Sequence, residues 1–203
     1  MINYLVENNG NVSIEDSDVK MAFEENARIE RARKYRPWVL KHGFIRVVFD
    51  LDGTLANVDH RVHLITGKKQ DWKLFYEECT NDLPIQSMIL MAKSMIINPT
   101  FRVEIWTGRS EIIRNSTFSW LNNHGILVEE HESSIFFHTP KTAVLRMRKD
   151  DDYRFDYEIK KEWLTNAINA DVKPTVVFED RTSVVEMWRE NGIQCCQVAA
   201  GNF

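Results

Sequence analysis

Val47-Val48-Phe49-Asp50-Leu51-Asp52-Gly53-Thr54 is an apolar run that ends in two carboxylates, one residue apart, and a glycine. The apolar part predicts a buried strand over residues 45–50. In an open α/β sheet the carboxyl ends of strands face the ligand crevice, so both acids would lie there on rigid backbone. Two such acids favour a divalent cation such as Mg²⁺, whose oxygen ligands are usually completed by substrate phosphate. The alternative is a surface turn, because Asp and Gly also form turns.

From residue 45 onward, short apolar runs alternate with helical periods. This pattern is typical of strand-helix-strand units around a parallel sheet. Further strands are predicted at 101–106, 134–138, 175–178 and 194–199, and helices at 85–96, 110–124, 155–169 and 183–191. We therefore predict an α/β fold with a doubly wound parallel sheet.

Two further motifs suit a phosphate group. Thr107-Gly108-Arg109 follows the predicted strand at 101–106 and offers a hydroxyl and a fork-shaped cation beside a glycine. Asp156 and Lys160 are four residues apart on a predicted helix, so they share one face. Taken alone, the first motif is also compatible with an ordinary turn and the second with an exposed ion pair.

A second pair of acids, Glu179-Asp180, follows the predicted strand at 175–178. Together with Asp50 and Asp52 it would supply the remaining oxygen ligands of one ion. Acids that converge from separate strand ends are hard to explain by packing, because a structural sheet has no need of them. The sequence thus predicts one magnesium site at this edge of the sheet.

The chain divides at about residue 43. Residues 1–43 are interpreted as a helical extension, and the basic block between 28 and 46 fits either a solvated helix face or a nucleic-acid contact. Residues 57–84 leave room for a small cap insert. Its Trp72, Phe75 and Tyr76 share one helical side, which is more typical of a core than of a base-stacking surface. His60 and Arg61 are better candidates for touching substrate.

The amino-acid composition limits the classes of protein to which the chain can belong and favours one cellular location. The chain is 43% hydrophobic and 28% charged with a net charge of −4, which excludes a disordered chain and a uniformly basic nucleic-acid binder. Its three cysteines favour a reducing, cytoplasmic location, and no apolar run is long enough for a membrane helix. A phosphate-binding loop of a kinase is excluded as well, since Gly67-Lys68 is followed by Lys69 and not by Ser or Thr.

The order of these motifs resembles the haloacid dehalogenase superfamily of phosphohydrolases, and within it the 3′-phosphatase domain of bacteriophage polynucleotide kinase/phosphatase. The resemblance covers residues 45–203. It is tightest in Glu179-Asp180-Arg181-Thr182-Ser183-Val184-Val185-Glu186-Met187-Trp188-Arg189 and in Gln197-Val198-Ala199-Ala200-Gly201-Asn202-Phe203. It implies a haloacid-dehalogenase-like, Rossmann-type domain over 44–203, with the cap insert at about 57–84.

The resemblance also implies the chemistry. Asp50 would be the nucleophile, forming an aspartyl-phosphate, and Asp52 the general acid/base. Thr107 and Lys160 would hold the phosphate. The metal Mg²⁺ would bind at Asp50, Asp52 (through its main-chain carbonyl), Asp180 and Glu179. The substrate-binding candidates are Arg61, Gly108, Arg109 and Asp156.

The predicted function is therefore the Mg²⁺-dependent removal of the 3′ phosphate from a polynucleotide end. Two alternatives stay open, a free nucleotide phosphatase and a binding module with an inactive site. The sequence departs from the family at Glu179, where the family prefers Asp, and in residues 59–84, which are longer than in the phage enzyme. The partner expected is a phosphorylated nucleic-acid end or nucleotide, and not a membrane.

Overall fold

The computed structural model describes residues 43–66, 68–129 and 142–201. The predicted extension lies outside the described residues except for residue 43. The predicted strand at 134–138 also lies outside them, so both stay predictions.

The described residues form eight strands and six helices. The strands are β1 (Ile45–Phe49), β2 (Ala56–Asn57), β3 (Leu83–Pro84), β4 (Phe101–Ser110), β5 (Val128–Glu129), β6 (Ala143–Arg148), β7 (Val176–Arg181) and β8 (Gln194–Gly201). The helices are α1 (Asp59–Val62), α2 (Trp72–Glu77), α3 (Gln86–Ile96), α4 (Arg114–Asn123), α5 (Asp156–Asn169) and α6 (Thr182–Glu190). Short 3₁₀ turns lie at Glu78–Asn81 and Glu111–Ile113.

Six strands form one sheet in the order β5-β6-β4-β1-β7-β8, and every pairing in it is parallel. Alternate residues of β1 point to opposite faces: Val47 and Phe49 pack in the core under α3 and α4, and Val48 packs in the core under α5 and α6. Helices therefore cover both faces. The predicted doubly wound parallel α/β fold is confirmed.

Strands β4 and β6 differ from the prediction, and the two-residue strands β2, β3 and β5 were not predicted. Strand β6 was not predicted, because Arg146 and Arg148 interrupt its apolar pattern, although Val144, Leu145 and Met147 are buried. Strand β4 continues to Ser110, four residues beyond the predicted end, and its register with β6 shifts between Trp106 and Ser110. In the sequence, a bulge of this kind is difficult to distinguish from a turn that ends the strand.

The predicted cap insert, residues 57–84, begins and ends in the antiparallel pair β2–β3 and contains α1, α2 and one 3₁₀ turn. Hydrogen bonds from Ile85 N to the Leu55 carbonyl (2.8 Å) and from Trp120 Nε1 to the Asp82 carbonyl (2.8 Å) fix its base to the sheet domain. No helix in the described part of the chain is long and apolar enough to cross a membrane.

Candidate active site

The polar residues at the ends of three strands meet at one edge of the sheet. Asp50 directly follows β1, which lies between β4, carrying Thr107, and β7, carrying Asp180. The N–H of Asp50 donates to the carbonyl of Phe178 in β7 at 2.9 Å, which keeps these ends in register. Parallel pairing is what brings residues 50, 107 and 180 to the same edge.

Lys160 lies at the centre of the first group of charges. From α5 its Nζ donates to Asp50 Oδ1 at 2.6 Å and to Glu179 Oε2 at 2.8 Å, and it lies 3.1 Å from Asp156 Oδ2. Burial alone would lower the pKa of Lys160, but the charges of Asp156, Asp50 and Glu179 raise that pKa well above its ordinary value. Lys160 is therefore a permanently charged ammonium group that binds the carboxylate of Asp50.

Three carboxylates form an acid cluster beside this ammonium group. One oxygen each from Asp50, Glu179 and Asp180 lies within 4.8 Å of the others. Burial raises the pKa of Glu179 to about 7, and burial together with the charge of Asp50 raises the pKa of Asp180 to about 7. Burial and the charge of Glu179 also raise the pKa of Asp50. The acid cluster holds more negative charge than Lys160 alone can balance.

These residues fit a hard divalent cation. Asp180 Oδ1 is buried and has no hydrogen-bond partner among the described residues. Glu179 is more fully engaged, because its Oε2 accepts from Lys160 and its Oε1 accepts from the N–H groups of Asp180 (3.3 Å) and Arg181 (3.2 Å). Oxygen-only ligands with an unsatisfied carboxylate oxygen are what Mg²⁺ uses in phosphate-processing sites.

From the raised pKa of Asp180 we predict how the free energy of unfolding of the metal-free protein depends on pH. Between about pH 4 and 7 the folded chain keeps a proton on Asp180 that the unfolded chain has lost. The free energy of unfolding contributed by this group should therefore fall as pH rises, by up to about 1.4 kcal/mol per unit, and level off above pH 7. Urea denaturation in EDTA at pH 5 to 8 should show a flatter profile for Asp180→Asn than for the wild type. Parallel profiles would contradict the prediction.

Asp52 belongs to a second group of charges, formed with two arginines. Its Oδ1 accepts from Arg109 Nη2 (2.6 Å), Arg109 Nε (2.9 Å) and Arg61 Nη2 (2.9 Å). Burial alone would raise the pKa of Asp52, but the charges of Arg109 and Arg61 outweigh it and hold that pKa below its ordinary value. Asp52 is thus ionised in the free site.

The sequence analysis missed Asp82, which holds both arginines from the other side. Arg61 donates to its two carboxylate oxygens from Nε and Nη2, each at 2.6 Å, and Arg109 Nη2 donates to Oδ2. The Asp82 side chain is fully buried. Asp82 lies between the 3₁₀ turn at Glu78–Asn81 and β3, where nothing in the local sequence pattern distinguishes it from an ordinary loop acid.

We expect Asp82→Asn to destabilise the protein by about 3–5 kcal/mol, because it leaves two buried guanidinium groups against one carboxylate. Urea denaturation measures this directly. The matched control is Glu77→Gln, which breaks an exposed pair with Lys73 and should change stability by less than about 1 kcal/mol. Equal, small effects of both substitutions would show that the Asp82 network contributes little.

Two glycines allow the backbone to approach these carboxylates. Gly53 has φ +86° in the turn after Asp52, and a Cβ there would lie 2.2 Å from Asp180 Oδ2. A Cβ on Gly108 would lie 2.6 Å from Asp156 Oδ1. The Gly108 carbonyl accepts from Arg148 Nε at 2.8 Å, which makes Arg148 a second residue at the site that the sequence analysis missed.

The structure brings all ten predicted site residues to this edge, in two groups that meet along β1 and β4. Lys160 joins Asp50, Asp156 and Glu179, and Arg61 and Arg109 join Asp52. The remaining predicted residues contact these groups directly: Gly108 lies against Asp156, Asp180 is in the acid cluster, and the Thr107 hydroxyl accepts from Arg109 N at 3.2 Å.

Trp72, Phe75 and Tyr76 of the cap insert lie on one helix, as predicted, but they differ in burial. Phe75 in α2 is buried, and the Arg61 guanidinium lies 4.1 Å from the centre of its ring. Trp72 is 46% exposed, so the predicted core role is wrong for this side chain. Phe75 therefore supports Arg61 from the cap insert, in keeping with the predicted core role.

The fold and the comparisons with known proteins together define a phosphatase of the haloacid dehalogenase class. The chain belongs to the family described as the polynucleotide kinase PNKP phosphatase domain, whose model matches residues 45–203. This confirms the resemblance predicted from the sequence.

The solved structures similar to this chain include chains of two Pnkp1/Rnl/Hen1 assemblies. A chain of the Pnkp1/Rnl/Hen1 complex is 26% identical with a TM-score of 0.61, covering 80% of this chain and 48% of that one. A chain of the Pnkp1/Rnl/Hen1 RNA repair complex is 26% identical with a TM-score of 0.59, covering 80% of this chain and 45% of that one. This chain spans about half the length of both.

Proposed function

We propose that the protein is a Mg²⁺-dependent phosphomonoesterase that removes the 3′ phosphate from polynucleotide ends through an aspartyl-phosphate intermediate. The observation that carries the proposal is the contact of Lys160 Nζ with Asp50 Oδ1 at 2.6 Å, beside an acid cluster at the carboxyl edge of the sheet. A buried ammonium group held there can bind both the nucleophile and a phosphate oxygen.

Asp50 is the nucleophile in this proposal. Its carboxylate oxygen attacks phosphorus, the bond to the ester oxygen breaks, and the phosphoryl group becomes attached to Asp50. Lys160 keeps the Asp50 carboxylate oriented and offsets the charge of the incoming phosphate. The Thr107 hydroxyl, at the bulge in β4, would donate a hydrogen bond to a phosphate oxygen.

Mg²⁺ held by Asp50 and Asp180 would neutralise phosphate oxygens that otherwise repel a carboxylate nucleophile. Glu179 contributes differently, because both of its oxygens are already hydrogen-bonded. Its role is to hold Lys160 in place, and it would reach the ion through water.

Asp52 moves the protons. In the second half of the reaction its ionised carboxylate accepts a proton from the water that hydrolyses the aspartyl-phosphate, and Arg109 and Arg61, which lower the pKa of Asp52, keep it in the ionised form that this step needs. In the first half it must donate a proton to the leaving oxygen. The negative charge of a bound phosphate dianion would offset the positive charge of the same arginines. The pKa of Asp52 would therefore rise, so that the carboxyl can be protonated for this step.

The polynucleotide 3′ end is proposed from the family and from the similarity to a chain of an RNA repair complex. The cap insert is small, at residues 57–84, which suits a bulky substrate. A free nucleotide phosphatase would use the same residues and is distinguished by experiment.

The test is phosphate release from four substrates with and without Mg²⁺. They are a 3′-phosphorylated oligonucleotide, its 5′-phosphorylated counterpart, a 3′-mononucleotide and a 5′-mononucleotide. Preference for the 3′-phosphorylated oligonucleotide, lost in EDTA and restored by Mg²⁺, supports the proposal. Cleavage of mononucleotides alone would replace it with a free nucleotide phosphatase.

A further inference from the structure

Three exposed aromatic side chains lie in the segment that joins β6 to α5 and in the first turn of α5. Tyr153 is 91% exposed, Phe155 is 70% exposed and Tyr157 is 37% exposed. The rings of Phe155 and Tyr157 are stacked at an interplanar angle of 10°, with centres 5.8 Å apart. We call residues 149–157 the aromatic loop.

The aromatic loop is part of the rim of the candidate active site. Asp156 lies between Phe155 and Tyr157 in the chain, and its Oδ2 is 3.1 Å from Lys160 Nζ. Its Oδ1 is the atom that a Cβ on Gly108 would meet at 2.6 Å. The backbone that carries the exposed rings therefore also carries a carboxylate of the site.

The aromatic loop is held in place by hydrogen bonds. Arg148 donates to the carbonyls of Gly108 (2.8 Å), Asp152 (3.2 Å) and Arg154. Arg154 in turn pairs with Asp152 at 2.6 Å and with Glu162 at 2.7 Å. The rings are thus presented to solvent by an ordered backbone, which lowers the cost of ordering them on binding.

The side chains of the aromatic loop indicate which kind of ligand it could bind. Apart from its three aromatic residues, every residue from 149 to 157 is charged, with two cations against four carboxylates. An apolar peptide would find no aliphatic side chain among residues 149–157, and a phosphate backbone would meet net negative charge in them. A nucleobase fits, because it offers a flat face to stack on a ring and polar edges to the charged surroundings.

We propose that the aromatic loop stacks on the nucleobase next to the phosphate that the site removes. This inference rests on the proposed function and extends it from the phosphate to the base. The base can come from a polynucleotide end or from a free nucleotide, and the experiment separates these sources.

The test compares kcat/KM for wild type, Phe155→Ala and the double variant Tyr153→Ala/Phe155→Ala. The substrates are a 3′-phosphorylated oligonucleotide, the same oligonucleotide with an abasic terminal position, a 3′-mononucleotide and glycerol 2-phosphate. The double variant should lose about 5- to 100-fold on substrates with a terminal base. It should equal the wild type on the abasic oligonucleotide and on glycerol 2-phosphate.

The matched control is Phe44→Ala. Phe44 is 39% exposed and precedes β1, at the opposite edge of the sheet, where Arg102 lies 3.5 Å from the centre of its ring. This variant should match the wild type on every substrate. An equal loss in Phe44→Ala, an equal loss on all four substrates, or no loss in the double variant would each overturn the inference.

The experiment also separates this inference from the proposed function. If the wild type releases phosphate from glycerol 2-phosphate but from no nucleotide or oligonucleotide, the proposed function fails and the inference with it. If the wild type cleaves the oligonucleotide and the double variant cleaves it equally well, only the inference fails. A loss confined to the oligonucleotide assigns the base to a polynucleotide end, and a loss on both assigns it to either source.

Discussion

Asp50→Asn is expected to abolish phosphate release, with a fall in kcat on the order of 10⁴ or more. The substitution keeps the shape of the side chain but replaces the carboxylate oxygen that attacks phosphorus with a weakly nucleophilic amide. The neighbouring carboxylates have other roles in the proposed site: Glu179 is bound to Lys160 and to two backbone N–H groups, and Asp180 would hold the ion. Turnover of the 3′-phosphorylated oligonucleotide, followed by phosphate release, measures the loss.

Two observations make this prediction specific to a nucleophile. Acid-quenched wild-type enzyme should retain labelled phosphate from a labelled substrate, and Asp50→Asn should retain none. The variant should also be at least as stable as the wild type, because it removes one of three buried carboxylates that repel each other. Asp59→Asn, an exposed acid of the cap insert, is the matched control and should keep full activity. Activity that survives in Asp50→Asn would refute the assignment.

The fold and much of the site could be predicted because each signal is local in the sequence. Asp50, Thr107 and Asp180 each follow an apolar run, and parallel pairing brings the ends of such runs to one edge. Lys160 was found in the same way, since it lies one helical turn from Asp156. In these cases the short-range pattern and the parallel topology were enough.

The residues that were missed depend on contacts that no local pattern encodes. Asp82 meets Arg61 and Arg109, which are 21 and 27 positions away along the chain. Arg148 lies at the end of β6, a strand whose alternating arginines hid it, and its contact with the Gly108 carbonyl depends on the bulge in β4. The way the cap insert folds back onto the sheet places these side chains, and that arrangement is visible only in three dimensions.

Asp52→Asn is expected to lower kcat on the 3′-phosphorylated oligonucleotide by about 10²–10⁴. Both proton transfers are lost, because an amide neither donates a proton to the leaving oxygen nor accepts one from water. The arginines remain paired with Asp82, so the variant keeps a partner for each guanidinium group. Two buried guanidinium groups then face one carboxylate, as in Asp82→Asn, so a loss of stability is expected as well. Thermal denaturation measures that loss, and kcat is compared at a temperature at which the variant is folded.

A substrate whose leaving group needs no proton distinguishes the two proton transfers assigned to Asp52. With 4-nitrophenyl phosphate the departing phenolate needs no proton, so Asp52→Asn should still transfer the phosphoryl group to Asp50. Hydrolysis of the aspartyl-phosphate should then stall, since Asp52 in its ionised form is the base for that step. Rapid mixing should show a burst of about one nitrophenolate per enzyme followed by slow turnover. A slow reaction with no burst would mean that Asp52 acts mainly before the intermediate forms, and wild-type turnover in this variant would exclude it as the acid/base.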